Sequence, residues 1–292
     1  MTRLSFTPQI AGKSVVPISV IIAAHNAEAF IGEAINSVIS QTSPVSEVIV
    51  IADDCTDCTT KIARELGATV LEQKRSNMAA ALNLGIHVSK QPWIAFLDAD
   101  DVWHEEKISS QWKAIEAHAD VGLVACDCNS LIDGEVIGFD QDLTQRWDNL
   151  SHRVPFQDYQ YISQVDGEFL KRFYLQTSRI LVRREAISKV GPLNESFFFW
   201  QTIEFFARIL RHYPLAYVER PLVYQRLHNA NHTRNVDGYW KAYICMIELM
   251  LENPGLYPPR AGEAYRECLK RDFHVTERML SQLRSPRNLS SS

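Results

Sequence analysis

Three carboxylates lie within four residues at the end of an apolar run, in the segment IAFLDADDVW (94–103). They belong to Asp98, Asp100 and Asp101. Like charges at this spacing repel one another, and the apolar residues before them make the charges harder to solvate. A divalent cation that also binds phosphate oxygens would offset the repulsion, because hard cations take oxygen ligands. The segment therefore predicts a site for a metal ion and a phosphorylated ligand.

Two further acids, Asp53 and Asp54, follow another apolar run in the segment EVIVIADD. Short runs rich in valine and isoleucine are typical of buried strands. The same signal recurs along the first half of the chain, and it predicts strands over 18–24, 47–52, 68–73, 93–98 and 121–128.

Helices are predicted between these strands, where apolar residues recur at a helical spacing. Asn26 is a candidate N-cap for the first helix, and Gly67 fits the end of the second. Strands that alternate with helices predict an α/β fold of Rossmann-like type, with a mostly parallel sheet and helices on both faces. Ligands bind beyond the carboxyl ends of the strands in such sheets. The two acidic strand ends therefore point to one crevice.

Composition narrows the classes of function. The chain has 292 residues and a net charge of -5, which argues against a general nucleic-acid-binding protein. The longest apolar run, from Val15 to Ala24, is too short to cross a bilayer and suits a strand. The N-terminus lacks the apolar core of a signal peptide, so a cytoplasmic protein is expected.

Four blocks of sequence, in this order, resemble family 2 glycosyltransferases of the GT-A fold, which use nucleotide-diphospho-sugars. The blocks read VIIAAHNAEAFIGEAINSVISQT, VIVIADDCTDCTTKIA, WIAFLDADDVWHEEKI, and RREAISKVGPLNES continuing to YQRLHNANHT. The resemblance covers residues 17–233 and implies a GT-A domain there. Its halves would be 17–128, which bind the nucleotide-sugar, and 129–233, which bind the acceptor. Residues 1–16 would form an N-terminal tail and 234–292 a C-terminal helical extension.

The resemblance identifies the acidic segment as a DXD motif. By that match Asp100 would bind the metal ion, Mg or Mn, and Asp98 would contact the ribose or the groups around the metal. His228, in the segment RLHNANHT, would complete the metal and diphosphate site, because a neutral imidazole is a sound ligand for a divalent metal. Asp101 has an alternative role as an N-cap or an acid in the first turn of the next helix.

The resemblance places the nucleotide base at the ends of the first two strands. Ala23 and His25 match the position that surrounds the base, and the His25 ring would stack on it. Asp54 matches an acid that hydrogen-bonds the base, whereas Asp53 is better explained as a structural residue of the turn. Asn83 belongs to a triplet that lies near the diphosphate in the family, and it is predicted to contact the nucleotide-sugar.

Three departures from the family pattern bear on the chemistry. In the second block, Cys55 and Cys58 stand where glycines are usual. In the third, the arginine of an A-R-N triplet near the diphosphate is replaced by Leu82, so that Lys74 or Arg75 would have to supply the positive charge.

The remaining departure concerns the general base that deprotonates the acceptor hydroxyl. Gln201 and Thr202 replace the E-D pair that inverting members use, and neither side chain can act as a base. Glu204 is the predicted substitute, since a carboxylate within hydrogen-bond reach suits a sugar hydroxyl. The alternative is that Glu204 pairs with Arg208, one helical turn on. The acids to consider would then be Glu195, Asp166 and Glu168.

The sequence thus predicts a glycosyltransferase that moves a sugar from a nucleotide-diphospho-sugar to a hydroxyl of a glycan or glycolipid, with Mg or Mn and with inversion at the anomeric carbon. No nucleic-acid partner is expected. Weak peripheral contact with the inner face of the membrane is a further possibility, because the C-terminal extension carries several basic residues. They are Arg266, Lys270, Arg271 and Arg278.

Three other classes of function are alternatives. The first is a non-catalytic relative that binds a nucleotide-sugar or a protein partner, and the missing E-D pair supports it. The second is a nucleotidyltransferase, which would need a phosphate loop rich in glycine and arginine after the first strand; AAHNAEAF has neither. The third is a zinc module, for which the candidate ligands are Cys55, Cys58, Cys126 and Cys128.

Overall fold

An eleven-stranded sheet lies at the centre of the fold. The computed structural model describes residues 14–138, 147, 150, 152–173, 175–228 and 236–270. The strands are β1 (Val16–Ala24), β2 (Val45–Asp53), β3 (Thr69–Gln73), β4 (Trp93–Asp98), β5 (Val102–Trp103), β6 (Leu123–Ile132), β7 (Glu135–Ile137), β8 (Arg153–Pro155), β9 (Gln160–Ile162), β10 (Leu181–Arg183) and β11 (Leu215–Arg226).

The strand order is β3-β2-β1-β4-β10-β6-β11-β9-β8, with β5 paired to β11 and β7 paired to β6. The six strands longer than three residues all run in one direction, and the short strands β5, β7, β9 and β10 run against them. The predicted mostly parallel α/β sheet is confirmed. As a result the carboxyl ends of β1, β2, β4 and β11 lie along one edge, where ligands bind in sheets of this kind.

Helices cover both faces of the sheet. They are α1 (Ile31–Ile39), α2 (Thr59–Glu65), α3 (Met78–Val88), α4 (Lys107–Ala117), α5 (Gly167–Arg172), α6 (Arg184–Val190), α7 (Gln201–Leu210) and α8 (Val236–Glu252). Short 3-10 helices span Thr177–Arg179 and Pro254–Leu256, and 261–270 are helical. Within the described ranges, no helix is long and apolar enough to cross a membrane.

The residues of β4 alternate between two apolar clusters, one on each face of the sheet. Ile94 and Phe96 pack in the cluster that includes residues of α3, α7 and α8. Trp93, Ala95 and Leu97 pack in the cluster that includes residues of α1, α2 and α4. A strand buried on both faces reads as a continuous apolar run, which is the pattern that precedes the acidic segment.

The ends of two helices test predictions about caps. Gly67 follows α2 with φ +84°, a conformation that favours glycine, so its predicted role as the helix stop is confirmed. The prediction for Asn26 is wrong, because α1 begins later, at Ile31, with Phe30 at its N-cap. The Asn26 side chain instead accepts a hydrogen bond from the backbone N–H of Thr56 at 2.8 Å, and so joins the ends of β1 and β2.

Helix α3 packs against β1 at a distance that requires a glycine. A Cβ atom at Gly85 would lie 2.4 Å from Cγ2 of Ile21, far inside van der Waals contact. This close approach places the N-terminal half of α3, which carries Asn77 and Asn83, beside the carboxyl edge of the sheet.

The segment 129–175, where the sequence shows no clean periodicity, contains more regular structure than predicted. Strand β6 continues to Ile132 and forms a hairpin with β7, while β8, β9 and α5 follow. The described part of the C-terminal extension packs against α7. Its buried residues Tyr243, Met246, Met250 and Tyr257 belong to the same apolar cluster as α7. The predicted tail up to residue 13 and the extension beyond 270 lie outside the described residues.

A buried hydrogen bond joins the extension to α7. The hydroxyl of Tyr257, which is 2% exposed, donates to Oε1 of Glu204 at 2.8 Å. Glu204 is itself buried and pairs with Arg208 on the same helix. Hydrogen bonds to charged groups contribute more to stability than bonds between neutral groups.

We predict that Tyr257→Phe lowers the free energy of unfolding by about 1–3 kcal/mol, because a buried carboxylate loses one of its donors. Urea denaturation of the full chain measures the change. Tyr224→Phe is the control, since this part-exposed ring has no hydrogen bond through its hydroxyl in the part of the chain that the structure describes. Equal stability losses in the two variants would contradict a special role for the Tyr257 bond.

Candidate functional site

The acidic segment begins at the carboxyl end of β4, whose last residue is Asp98. Asp101 is 4% exposed and both of its oxygens are engaged. Oδ2 accepts from the Ser178 hydroxyl at 2.6 Å, and Oδ1 accepts from the backbone N–H of Arg226 at 3.0 Å. The alternative role of Asp101 as an acid at the start of the next helix is therefore wrong, because α4 begins at Lys107 with Glu106 at its N-cap.

Two carboxylates of this segment, those of Asp98 and Asp101, have raised pKa values. Desolvation at the strand end raises the pKa of Asp98 well above its usual range, and the charges of Asp101 and Asp100 add to the effect. Burial likewise raises the pKa of Asp101 to about 7, with a further contribution from the charge of Asp100. The segment thus holds more negative charge than its surroundings stabilise, which is the condition in which a bound cation is favoured.

The two predicted metal ligands lie side by side, although 128 residues separate them in the sequence. Nε2 of His228 lies 3.0 Å from Oδ2 of Asp100. The imidazole packs against the ring of Phe30 at 4.7 Å between centroids, and Nε of Arg226 donates to the Asp100 carbonyl at 3.0 Å. The ends of β4 and β11 therefore bring an imidazole and a carboxylate into contact.

This pair fits a magnesium or manganese ion, but it is not a complete metal site. Among the described residues, no group of three or more carboxylate, thiolate or imidazole side chains is placed to hold a metal. Ions of this type are commonly bound through one or two side chains, with substrate phosphates and water as the other ligands. Asp100 and His228 supply that number, and the excess negative charge around them suits a cation.

The predicted base-binding residues lie at the neighbouring ends of β1 and β2. Ala23 pairs with Asp98 on one side and with Ile51 on the other. Nδ1 of His25 lies 2.6 Å from the carbonyl oxygen of Asp53, which fixes the ring between the two strands. The structure thus places Ala23 and His25 directly beside the acidic segment.

The adjacent acids Asp53 and Asp54 have different surroundings. Oδ1 of Asp53 accepts from the backbone N–H of Ser76 and from Nε2 of Gln73, each at 2.9 Å, so Asp53 is a structural residue of this turn. Asp54 is exposed, with φ 58°, and its backbone N–H donates to the carbonyl of Gln73 at 2.9 Å. The Asp54 carboxylate is accordingly the one that faces solvent.

Two residues expected near the diphosphate have other partners. The amide of Asn83 is used by the loop before α7: it donates to the Leu193 carbonyl at 3.0 Å and to Oε1 of Glu195 at 2.8 Å, and it accepts from the Leu193 N–H at 2.9 Å. Asn83 therefore positions this loop and has no free donor for a ligand, which corrects its predicted role. Arg75 donates to Nε2 of His25, so its charge lies at the base end of the site.

The prediction that Glu204 is the general base does not fit its environment. Its side chain is 2% exposed, and its oxygens accept from Nε of Arg208 at 2.7 Å and from Nη2 at 3.0 Å. With the Tyr257 hydroxyl as a third donor, this carboxylate is enclosed in the core, where an acceptor cannot reach it. The alternative pairing with Arg208 is what the structure shows.

The neutral residues that replace the E-D pair lie at the start of α7. The hydroxyl of Thr202 lies 3.3 Å from that of Thr177, and Oε1 of Gln201 is buried without a hydrogen-bond partner among the described residues. Trp200, just before the helix, has φ 66°, which is strained for a large side chain. This end of the helix therefore carries no carboxylate of its own within the first turn except the buried Glu204.

A short segment missed by the sequence analysis, the strap 176–179, crosses the ends of β4, β6 and β11. Gln176 bonds to Gln225 at 2.9 Å, and Ser178 bonds to Asp101. Arg179 is buried and donates from Nε to the Cys126 carbonyl at 2.6 Å. Four polar residues in a row carry no periodic signal, so only the apolar strand that follows could have pointed to this segment.

The cysteine pairs do not form a zinc site. Cys55 and Cys58 lie just beyond β2, whereas Cys126 and Cys128 lie within β6. The strand order puts β1, β4 and β10 between β2 and β6, a separation of roughly 19 Å at about 4.8 Å per strand. The zinc alternative is thereby excluded for these four residues.

Known proteins share the sequence features of this site. The model described as glycosyl transferase family 2 matches residues 19–191, which include the ends of β1, β2 and β4 and the strap. The chain belongs to glycosyl transferase family 2. The resemblance inferred from the four sequence blocks is confirmed.

One relative of this family 2 chain is the putative glycosyltransferase EpsH of Bacillus subtilis, which is 27% identical over 221 residues. The match covers 72% of this chain and 61% of EpsH. The chain thus spans less than two thirds of the length of this relative.

Solved structures show that the fold is shared. TarS of S. aureus, residues 1–349 in complex with UDP-GlcNAc, superposes with a TM-score of 0.63 at 16% identity over 81% of this chain and 67% of that chain. The mannosyltransferase PcManGT of Pyrobaculum calidifontis, in complex with GDP-Man and Mn2+, superposes with a TM-score of 0.60 at 15% identity over 85% of this chain and 69% of that chain. The family 2 chain therefore has the GT-A fold that was predicted.

We predict that Asp100→Asn raises the melting temperature, and more so at pH 8 than at pH 5. The pKa values of Asp98 and Asp101 are higher in the folded protein than in the unfolded chain, so stability is lost as pH rises from about 4 through 7. Removing the Asp100 charge takes away one cause of both raised pKa values, and so relieves part of this loss. Differential scanning calorimetry at both pH values measures the gain.

Asp54→Asn is the matched control for this prediction, because it also removes one negative charge but lies outside the acidic segment. Its effect on melting temperature should not depend on pH in the same window. A gain for Asp100→Asn that is equal at pH 5 and pH 8 would show that repulsion within the segment is not its cause.

Proposed function

We propose that this chain transfers a sugar from a nucleotide-diphospho-sugar to an acceptor hydroxyl, with the help of Mg or Mn. The observation that carries the proposal is the contact of 3.0 Å between Asp100 and His228, at the edge of the sheet where the acidic segment follows β4. Membership of family 2 and the nucleotide-sugars bound by TarS and PcManGT support it.

The proposed donor lies along the carboxyl ends of β1, β2 and β4. His25 stacks on the nucleotide base, and the exposed carboxylate of Asp54 accepts a hydrogen bond from it. Asp98, between the base end and the metal pair, accepts from the ribose hydroxyls. A divalent cation held by Asp100 and His228 would neutralise negative charge that develops on the diphosphate as the sugar leaves.

We assign the general base to Glu195 in place of Glu204. Glu195 is exposed, and Asn83 holds one of its oxygens at 2.8 Å while Oε2 has no hydrogen-bond partner among the described residues. Asn77, the N-cap of α3, donates to the Glu195 carbonyl at 2.7 Å and fixes the backbone as well. A carboxylate that is oriented on one side and open on the other suits proton transfer from a hydroxyl.

A single base acting opposite the leaving group implies inversion at the anomeric carbon. The acceptor is proposed to be a hydroxyl of a glycan or glycolipid, bound by the half of the domain that follows residue 128. Weak contact with the inner face of a membrane, through Arg266 and Lys270 of the extension, belongs to the same proposal and places the protein on the cytoplasmic side.

A second candidate function is a non-catalytic protein that binds a nucleotide-sugar. The start of α7 favours it, because Gln201 and Thr202 offer neutral side chains and Glu204 is sealed in the core. Both candidates require the donor site, and only the first requires transfer to an acceptor.

We predict that a nucleotide-diphospho-sugar stabilises the wild-type chain only when Mn is present. A ligand at a hundred times its Kd stabilises by about 2.7 kcal/mol, which a thermal shift screen of several nucleotide-sugars detects easily. Asp100→Ala should abolish the Mn-dependent part of the shift while the protein stays folded. An equal shift in Asp100→Ala and wild type, for every nucleotide-sugar that binds, would refute the assigned donor site.

We predict that Glu195→Gln lowers the rate of transfer to the acceptor by about 10²- to 10⁴-fold, the usual contribution of a general base. Donor affinity should stay within twofold of wild type, because the amide keeps the bond to Asn83. Transfer is measured with the donor identified in the thermal screen, and product stereochemistry by NMR. Transfer at the wild-type rate in Glu195→Gln would remove this residue from the mechanism, and no transfer by wild type with any glycan acceptor would favour the binding protein.

A further inference from the structure

The strap 176–179 supplies the hydroxyl that connects two parts of the acidic segment. Ser178 is 1% exposed. Its Oγ accepts from the backbone N–H of Asp98 at 3.0 Å and donates to Oδ2 of Asp101 at 2.6 Å. The Ser178 carbonyl in turn accepts from Nε1 of the buried Trp103 at 2.9 Å. Since donors and acceptors on all sides are satisfied, this serine is held in one orientation.

Asp101 connects Ser178 to β11 through hydrogen bonds. Its second oxygen accepts from the backbone N–H of Arg226, the last residue of that strand. With one oxygen on Ser178 and the other on Arg226, Asp101 joins the strap to β11 across the end of β4. Both oxygens face protein donors, so Asp101 is placed to hold structure and not to bind a metal.

The Asp101 connection ends beside the proposed metal pair. Only Leu227 separates Arg226 from His228, and the Arg226 guanidinium donates to the carbonyl of Asp100. Fixing the backbone at Arg226 therefore fixes how far His228 can move from Asp100. Backbone pairing with β5 and β6 also holds β11 in place, and the Asp101 bond adds a direct tie from the acidic segment to the last residue of the strand.

We propose that Ser178 and Asp101 are positioning residues for metal binding, which hold Asp100 and His228 at the separation that the ion requires. The inference rests on the proposed function, since it takes Asp100 and His228 as the metal ligands. Residues that orient metal ligands without touching the metal commonly change metal affinity by about 10- to 100-fold when they are mutated.

The test is the affinity of the full chain for Mn2+ alone, measured by electron paramagnetic resonance without donor or acceptor. Ser178→Ala is expected to weaken Mn2+ binding by about 10- to 100-fold. Thr177→Val is the matched control, because it removes the neighbouring hydroxyl of the same strap, which bonds to Thr202 and not to the acidic segment. Its Mn2+ affinity should stay within twofold of wild type.

A double-mutant cycle separates positioning from a general loss of structure. If Ser178 acts through Asp101, the variant that combines Ser178→Ala with Asp101→Asn should lose no more Mn2+ affinity than the weaker-binding single variant. Fully additive losses would overturn the proposal, as would Mn2+ affinity in Ser178→Ala within twofold of wild type. If Ser178→Ala does not fold, Asp101→Asn decides: wild-type affinity in that variant overturns the proposal, and a loss of tenfold or more supports it.

Mn2+ binding by the wild-type protein distinguishes a failure of this inference from a failure of the proposed function. Wild-type protein that binds no Mn2+ at millimolar concentration overturns this inference, whereas the metal-dependent function is contradicted only if no nucleotide-diphospho-sugar gives an Mn-dependent thermal shift either. Wild-type binding together with unchanged binding in Ser178→Ala contradicts only the positioning role.

Discussion

Repulsion among three carboxylates at the end of β4 is the constraint on which the site depends. Asp98, Asp100 and Asp101 cannot all be ionised in a poorly solvated place unless other groups compensate. Part of the compensation comes from neutral donors, the hydroxyl of Ser178 and the backbone N–H of Arg226, which orient the Asp101 carboxylate without cancelling its charge. The negative potential therefore persists in the cleft, and a divalent cation is the natural counterpart for it.

Glu204, a buried acid outside the acidic segment, has a different environment. Arg208 neutralises it directly, and the same guanidinium donates to the carbonyl oxygens of Val190 at 2.6 Å and Pro192 at 2.8 Å. The Glu204 charge is neutralised inside the core, and the Arg208 guanidinium that pairs with it also fixes the loop that leads to Glu195. The acidic segment thus retains negative charge that a ligand can neutralise, whereas the pair of Glu204 and Arg208 stabilises the backbone around it.

The sequence predicts the parts of the molecule that follow a local rule. Apolar runs and helical spacing locate β1, β2, β4 and α3, and the order of the family blocks singles out Asp100 and His228, which the fold then brings together. The depth of Glu204 was not predictable in this way. Its spacing to Arg208 fits an exposed pair equally well, and its third partner, Tyr257, lies 53 residues further along. The roles of Ser178 and Asn83 likewise depend on contacts between distant segments, 77 and 110 residues apart, for which local patterns carry no signal.

The order of the strands has a consequence for synthesis on the ribosome. Strands β3, β2, β1 and β4 are adjacent in the sheet and lie within the first hundred residues, so they can pair as soon as they emerge. Strand β6 cannot join them until β10 is made, and β11, which lies between β6 and β9, comes later still. Until β11 has left the exit tunnel, the nascent chain presents open strand edges, which are prone to pair with other chains. Binding of a chaperone to this intermediate, and slow translation before β11, would therefore affect the yield of native protein.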